Sequence, residues 1–132
     1  MTFVERARAL VGVRFRPQGR RADVGLDCIG VVALTYGVDP GAVPSDYRLR
    51  GGQRDRLLRG LARHFRAIPT KQASAGDVLL CAAATDQLHL VVKTGAGFIH
   101  ADAGLRRVVE TPGTPPWPVL KAFRQRTRPI KE

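Results

Sequence analysis

The chain has 132 residues, 44% of them apolar, and sets 22 basic against 11 acidic side chains for a net charge of +11. That length suits one domain with its own core; no apolar run approaches the ~20 residues of a membrane helix, and no paired CxxC or HExxH spacing marks a metal site. The arginine-rich charge favours an anionic partner, but the basic residues are spread along the chain and aromatics make up only 6%, which leaves few stacking platforms for a nucleic acid.

Residues 2–11 read as a helix. Phe3, Val4, Ala7, Leu10 and Val11 recur at helical spacing, Thr2 and Glu5 offer a capping box, and Gly12 ends the run. Glu5, Arg6 and Arg8 interrupt the apolar stretch that a secretory signal needs. Residues 13–26, polar and basic with glycines, read as a loop. Residues 28–36 are apolar on nearly every face. Periodicity alone permits a strand there, whereas Asp27 before the run and Gly37 after it favour a capped helix.

Residues 38–52 hold Pro40, Pro44 and several glycines and read as irregular. Residues 53–66 form a second amphipathic helix, with Leu57, Leu58, Leu61, Ala62 and Phe65 on one side and arginines around the rest. The pattern then changes. Runs of β character fall at 77–82, 88–93, 97–101, 106–110 and 118–125, separated by turn residues. Helices first and strands after imply an α+β fold with an antiparallel sheet. One domain is expected over 1–126, followed by a charged tail from Thr127.

Cys28, His89 and His100 carry the chemistry that this order suggests. A thiol attacks as thiolate, and a helix N-terminus lowers its pKa by favouring negative charge. Cys28 stands where a helix should begin. An imidazole beside it would take the proton and later protonate a leaving group, and the first N–H groups of the helix would hold an oxyanion. His89 and His100 flank a glycine-rich turn. A two-residue turn at Thr94-Gly95 sets them directly opposite, a four-residue loop over 94–97 leaves them diagonal on one face, and a three-residue loop separates them unless a bulge intervenes. His89, between Leu88 and Leu90, is the better base. Cys81, in an apolar run, is assigned to the core, and His64, on the 53–66 helix, is assigned a structural role. Two cysteines without a secretory signal read as reduced thiols.

These blocks resemble the NlpC-type cysteine peptidases of bacterial cell walls, a papain-like family, over about residues 3–125. LDCIGVV is similar to the family's Asp-Cys-Ser-Gly-Leu-Val block, AGDVLL (75–80) to its Gly-Asp strand, HLVV (89–92) to its His-Val-Gly-Ile strand, and FIHA (98–101) to the segment with the third polar residue. The resemblance implies Cys28 as nucleophile, His89 as general base and acid, and His100 as the orienting residue. It implies helices packed on a small antiparallel sheet, no cofactor and no metal, and murein stem peptides as substrate. The short form looks most like versions carried by phage tails and gene transfer agents, which implies synthesis in the cytoplasm and delivery to the wall by a particle, with phage-tail or transfer-agent proteins as partners and no membrane.

Three positions depart from the family pattern. Ile29 replaces a serine and removes a hydroxyl that would face substrate. Phe15 stands where many relatives carry a tyrosine, so it lines the substrate site without that hydrogen bond. Leu90-Val91-Val92 lacks the strand glycine. Asp27 either caps the helix or contacts a substrate amine. The reading is therefore a thiol hydrolase on murein peptides. Its rivals are a structural phage-tail or assembly component with weak or no catalysis, a thiol acyltransferase, which would need an apolar channel, and a basic nucleic-acid-binding module.

Overall fold

The computed structural model describes residues 1–39, 54–85 and 87–126. Helix α1 (Phe3–Arg8) starts on the expected capping box: Thr2 Oγ1 accepts the Glu5 N–H at 3.1 Å, and Glu5 Oε1 accepts the Thr2 N–H at 2.8 Å. It is shorter than the 2–11 reading. The chain turns after Ala9, and Gly12, at φ +95°, donates its N–H to Val108 O at 2.9 Å.

The 13–26 segment is more ordered than a loop. Arg20–Arg21 (β1) and Gly25–Leu26 (β2) pair antiparallel, and Arg14 and Phe15 bridge to Arg107 and Leu26. Main-chain pairing builds these short strands, so no alternation of side chains announces them. Helix α2 (Cys28–Thr35) follows, capped by Asp27, whose Oδ1 accepts the Gly30 N–H at 2.8 Å. The 13–26 segment lies hard against its start: a Cβ on Gly30 would run into Gly19 O. Gly37, at φ +70°, lets the chain leave the helix.

Helix α3 (Arg54–His64) stops before Phe65, because Phe65–Ile68 (β3) is a strand, contrary to the helix read over 53–66. Pairing to the end of the chain overrides the local spacing. The expectations for residues 40–52 and for the tail from Thr127 lie outside the described residues. The remaining strands fall close to the runs of β character: β4 (Val78–Ala84), β5 (Gln87–Lys93), β6 (Gly97–Asp102), β7 (Arg107–Pro112) and β8 (Val119–Gln125). With β3 they make one antiparallel sheet in the order β3-β8-β4-β5-β6-β7.

Alternation along the strands gives this sheet two apolar faces. On the helix side Val78, Leu80, Leu90, Val92, Ile99, Ala101 and Val108 pack with Leu26, Cys28, Val31 and Val32. On the other side Leu79, Cys81, Val91, Phe98 and Ala122 pack with Ile68 and Trp117. Asp77, 3% exposed, opens β4 and fixes it to β8 through a two-point pair with Arg124, at 2.9 and 2.8 Å. Its Oδ2 also accepts the Ser74 N–H at 2.8 Å. The Gly-Asp pair of AGDVLL thus has a structural use.

Candidate active site

Cys28 is the first residue of α2 and only 3% exposed. Burial and the neighbouring Asp27 carboxylate push its pKa up to about 12, and the Leu90 main-chain amide and Arg20 offset this only in part. This corrects the expectation of a thiol acidified by the helix N-terminus. Removing the sulfur from water outweighs the field of a two-turn helix, and Asp27, by capping that helix, sets a negative charge beside it. Cys28 is a neutral thiol at neutral pH.

The two imidazoles meet. Lys93 pairs with Phe98, which makes 94–97 the four-residue loop among the three registers weighed above, with His89 and His100 diagonal on one face. His89 Nε2 lies 2.8 Å from His100 Nδ1, and the rings meet edge to face at 5.0 Å. The loop is closed tightly: Thr94 N–H donates to Gly97 O at 2.8 Å and Gly97 N–H to Thr94 Oγ1 at 2.9 Å. A Cβ on Gly97 would collide with Thr111 O of β7, so glycine is required there.

The environment of the pair keeps it neutral. Burial pushes His89 down to about 4, with His100 adding to the effect, and burial also lowers His100. Trp117 stacks edge-on against both rings, at 5.1 Å from His89 and 5.5 Å from His100. Beyond His100, Asp102 Oδ2 stands 3.9 Å from Nε2. Sequence reasoning missed Asp102 and Trp117. Asp102 had a signal, two residues past His100 on the same strand face. Trp117 comes from the loop before β8, and only the folded chain brings it here.

Cys28 and the imidazoles reach β5 from its two sides. His89 is in register with Cys81 and shares the face of Val91 and Phe98, whereas Cys28 belongs to the helix-side core with Leu80 and Leu90. The two arrangements adjoin where the sheet thins. The ladder between β5 and β6 holds only Val92–Ile99 and Lys93–Phe98, whereas β6 and β7 pair over all six residues Gly97–Asp102. Upstream of Val92, β5 is paired on its β4 side, and the Leu90 amide that faces the Cys28 sulfur follows His89 directly. Among the described hydrogen bonds none joins Cys28 to either ring; the imidazole pair and the thiol are neighbours along β5 rather than a bonded triad.

The remaining expected residues fall around the start of α2. Asp27 is held on one oxygen by both its cap and Arg20, whose Nη1 is 2.7 Å away; capping is therefore a role it performs. Phe15 packs against the helix-side core, and its N–H donates to Arg106 O at 2.9 Å. Cys81 is fully buried, as expected of a core residue, and burial pushes its pKa up to about 11. His64, exposed at the end of α3, accepts the Arg126 N–H on its carbonyl at 3.2 Å. A cavity of about 370 Å³ lies between α2 and α3, walled by Ile29, Leu57, Leu61, Phe65 and Leu90 with Arg59 and Arg63. Ile29 and Leu90 place it next to both the thiol and the imidazoles in sequence.

The sequence matches no protein-family model and no curated protein. Solved structures do match. The NlpC/p60 domain of the peptidoglycan hydrolase SagA is 21% identical, with a TM-score of 0.60 over 84% of this chain and 86% of that one. An NlpC/P60 family protein from Bacillus cereus is 20% identical, with a TM-score of 0.64 over 91% of this chain but only 38% of that one. RipD of Mycobacterium tuberculosis, a non-catalytic NlpC/p60 domain protein adapted to peptidoglycan binding, is 14% identical, with a TM-score of 0.55 over 96% of this chain and 95% of that one. The fold expected from the sequence is the observed one: helices packed on an antiparallel sheet in the NlpC/p60 manner.

Proposed function

We propose that this chain is a cysteine peptidase that hydrolyses peptide bonds in murein stem peptides. The observation that carries the reading is the bonded His89–His100 pair, shielded by Trp117 on the strand whose next amide faces Cys28. A core has no use for two neutral imidazoles in contact, while a general base does. The sequence resemblance at LDCIGVV and HLVV and the likeness to the SagA domain support the same class.

The resting site is a neutral thiol beside neutral rings, so attack and proton transfer go together. The stem peptide has to uncover the sulfur from the 13–26 segment that lies over the start of α2. Cys28 Sγ then bonds to the scissile carbonyl carbon while its proton passes to His89 around the stretch of β5 that β6 leaves unpaired, which requires the ring to swing toward the sulfur as substrate enters. N–H groups at the helix start hold the oxyanion. His89 returns the proton to the leaving amine; the same ring then takes a proton from water, whose oxygen bonds to the thioester carbon, and hands it to Cys28 Sγ as the C–S bond breaks, which releases the acid and restores the thiol. For delivery we infer a phage-tail or gene-transfer-agent particle, on the resemblance to the short forms that such particles carry.

Digestion of purified murein, with identification of new peptide termini, tests the reading. New termini that vanish in Cys28→Ala support it and identify the scissile bond. One observation favours a second reading: Cys28 is buried and un-ionised, as suits a non-catalytic wall-binding or assembly component. Murein that is bound but left intact by the unaltered chain would establish that reading instead.

A further inference from the structure

The imidazole pair has two ways to hold its shared proton. In the first, His89 donates from Nε2 to His100 Nδ1; His100 then carries its own proton on Nε2, and His89 Nδ1 is bare. In the second, His100 donates from Nδ1 to His89 Nε2; His89 is then protonated on Nδ1, and the bare nitrogen is His100 Nε2. Only the first leaves His89 with a basic nitrogen, and it is the one next to the main chain that leads on to Leu90. The 2.8 Å contact between the rings serves both states equally.

Asp102 breaks the tie. Its Oδ2 stands 3.9 Å from His100 Nε2, and the carboxylate cannot easily turn aside, because Oδ1 accepts the N–H groups of Gly104 at 2.8 Å and Leu105 at 3.1 Å. A carboxylate attracts an N–H and repels a bare lone pair. His100 is 5% exposed and edged by Phe98 and Trp117, while the Asp102 side chain is 30% exposed, so water screens the difference only from the carboxylate's side. Among the described residues, Cys81 also stands at the pair, in register with His89 and un-ionised at neutral pH.

We propose that Asp102 is a positioning residue that sets the tautomer of the His89–His100 pair and so keeps His89 Nδ1 free to accept a proton. Its catalytic meaning rests on the reading of His89 as general base, but the tautomer itself is observable without catalysis.

The test is nitrogen-15 NMR of histidine-labelled full chain near neutral pH, where both rings are neutral. The unaltered protein should hold both protons on Nε2, favoured about tenfold or more over the reverse. Asp102→Asn, whose amide can offer an N–H to His100 Nε2, should invert that ratio. Asp102→Ser keeps an acceptor for the Gly104 turn and removes the charge; it should give a mixture, and it guards against a turn that simply unfolds. A protein found with His89 protonated on Nδ1, or Asn and Ser variants that both keep the original tautomer, would overturn the proposal. Murein digestion is scored separately. Inversion in Asp102→Asn with no digestion by the unaltered chain supports the tautomer role and removes the hydrolase reading. Digestion with a tautomer indifferent to Asp102 removes the tautomer role alone.

Discussion

The two faces of the sheet carry one thiol each, and they differ in what surrounds it. Cys28 is enclosed by aliphatic side chains under α2, with the Asp27 carboxylate, the Arg20 guanidinium and a strand amide among its polar neighbours. Cys81 stands across from His89 in a face of aromatic and imidazole rings. The thiol with the more catalytic-looking neighbours is thus the one at mid-strand, fully buried and away from any helix end. The thiol that can use helix N–H groups is at the start of α2. Proximity to an imidazole is cheap inside a folded sheet, and a nucleophile also needs oriented donors and a way in.

That contrast can be tested by treating the two cysteines alike. Cys28→Ala should lower murein digestion by about 10⁴-fold or more, while Cys81→Ala should leave it within a few-fold and cost about 1 kcal/mol of stability through the lost packing. Equal losses would place the chemistry on the wrong face. Alkylation is the next largest effect. With Cys28 held near pKa 12, the native thiol should react at least about 100-fold more slowly near pH 8 than in the unfolded chain, where its pKa is about 8.5. Fast labelling of native Cys28 would mean that the sulfur is uncovered in solution.

Stability gives two smaller readouts. Asp77→Ala takes the carboxylate from Arg124 and the acceptor from the Ser74 N–H, and frees the start of β4; because Arg124 stays in contact with water, chemical denaturation should show a loss of only about 1 kcal/mol, that of the Ser74 hydrogen bond. The pH dependence follows from His89. Its folded pKa, about 4, lies below its ordinary 6.5, so the unfolded chain binds the extra proton first. Its contribution is complete above pH 6.5 and falls as pH drops toward 4, by up to about 3 kcal/mol. His89→Leu should flatten that slope in urea titrations run across this range. An unchanged slope would show that the ring is wetter than its packing suggests.

Much of this was legible in the sequence for local reasons. Asp27 and Gly37 bracket α2 with a cap and a positive φ, and short runs of β character cut by turn residues mark β4 to β8. The hairpin around Thr94 was narrowed to three registers, of which one is observed. What was missed depends on contacts remote in the chain. Leu57, Leu61 and Phe65 keep helical spacing, yet β3 begins at Phe65 because β8 is there to pair with it. β1 and β2 are two-residue strands made by backbone contacts, too short for any side-chain pattern. The acidity of Cys28 was misjudged because a cap site says where a dipole is and nothing about how deeply the sulfur is buried. The rings met as the hairpin rule allowed, but which face of the sheet they would share with which cysteine required the β4–β5 register.

The closure at Thr94 and Gly97 also bears on how the chain assembles. Linking ends only four residues apart sacrifices little chain entropy, whereas joining β3 to β8 must bring the middle of the chain to its end. On that ground the tips of the β4–β5 and β5–β6 hairpins are expected to close before β3 finds β8.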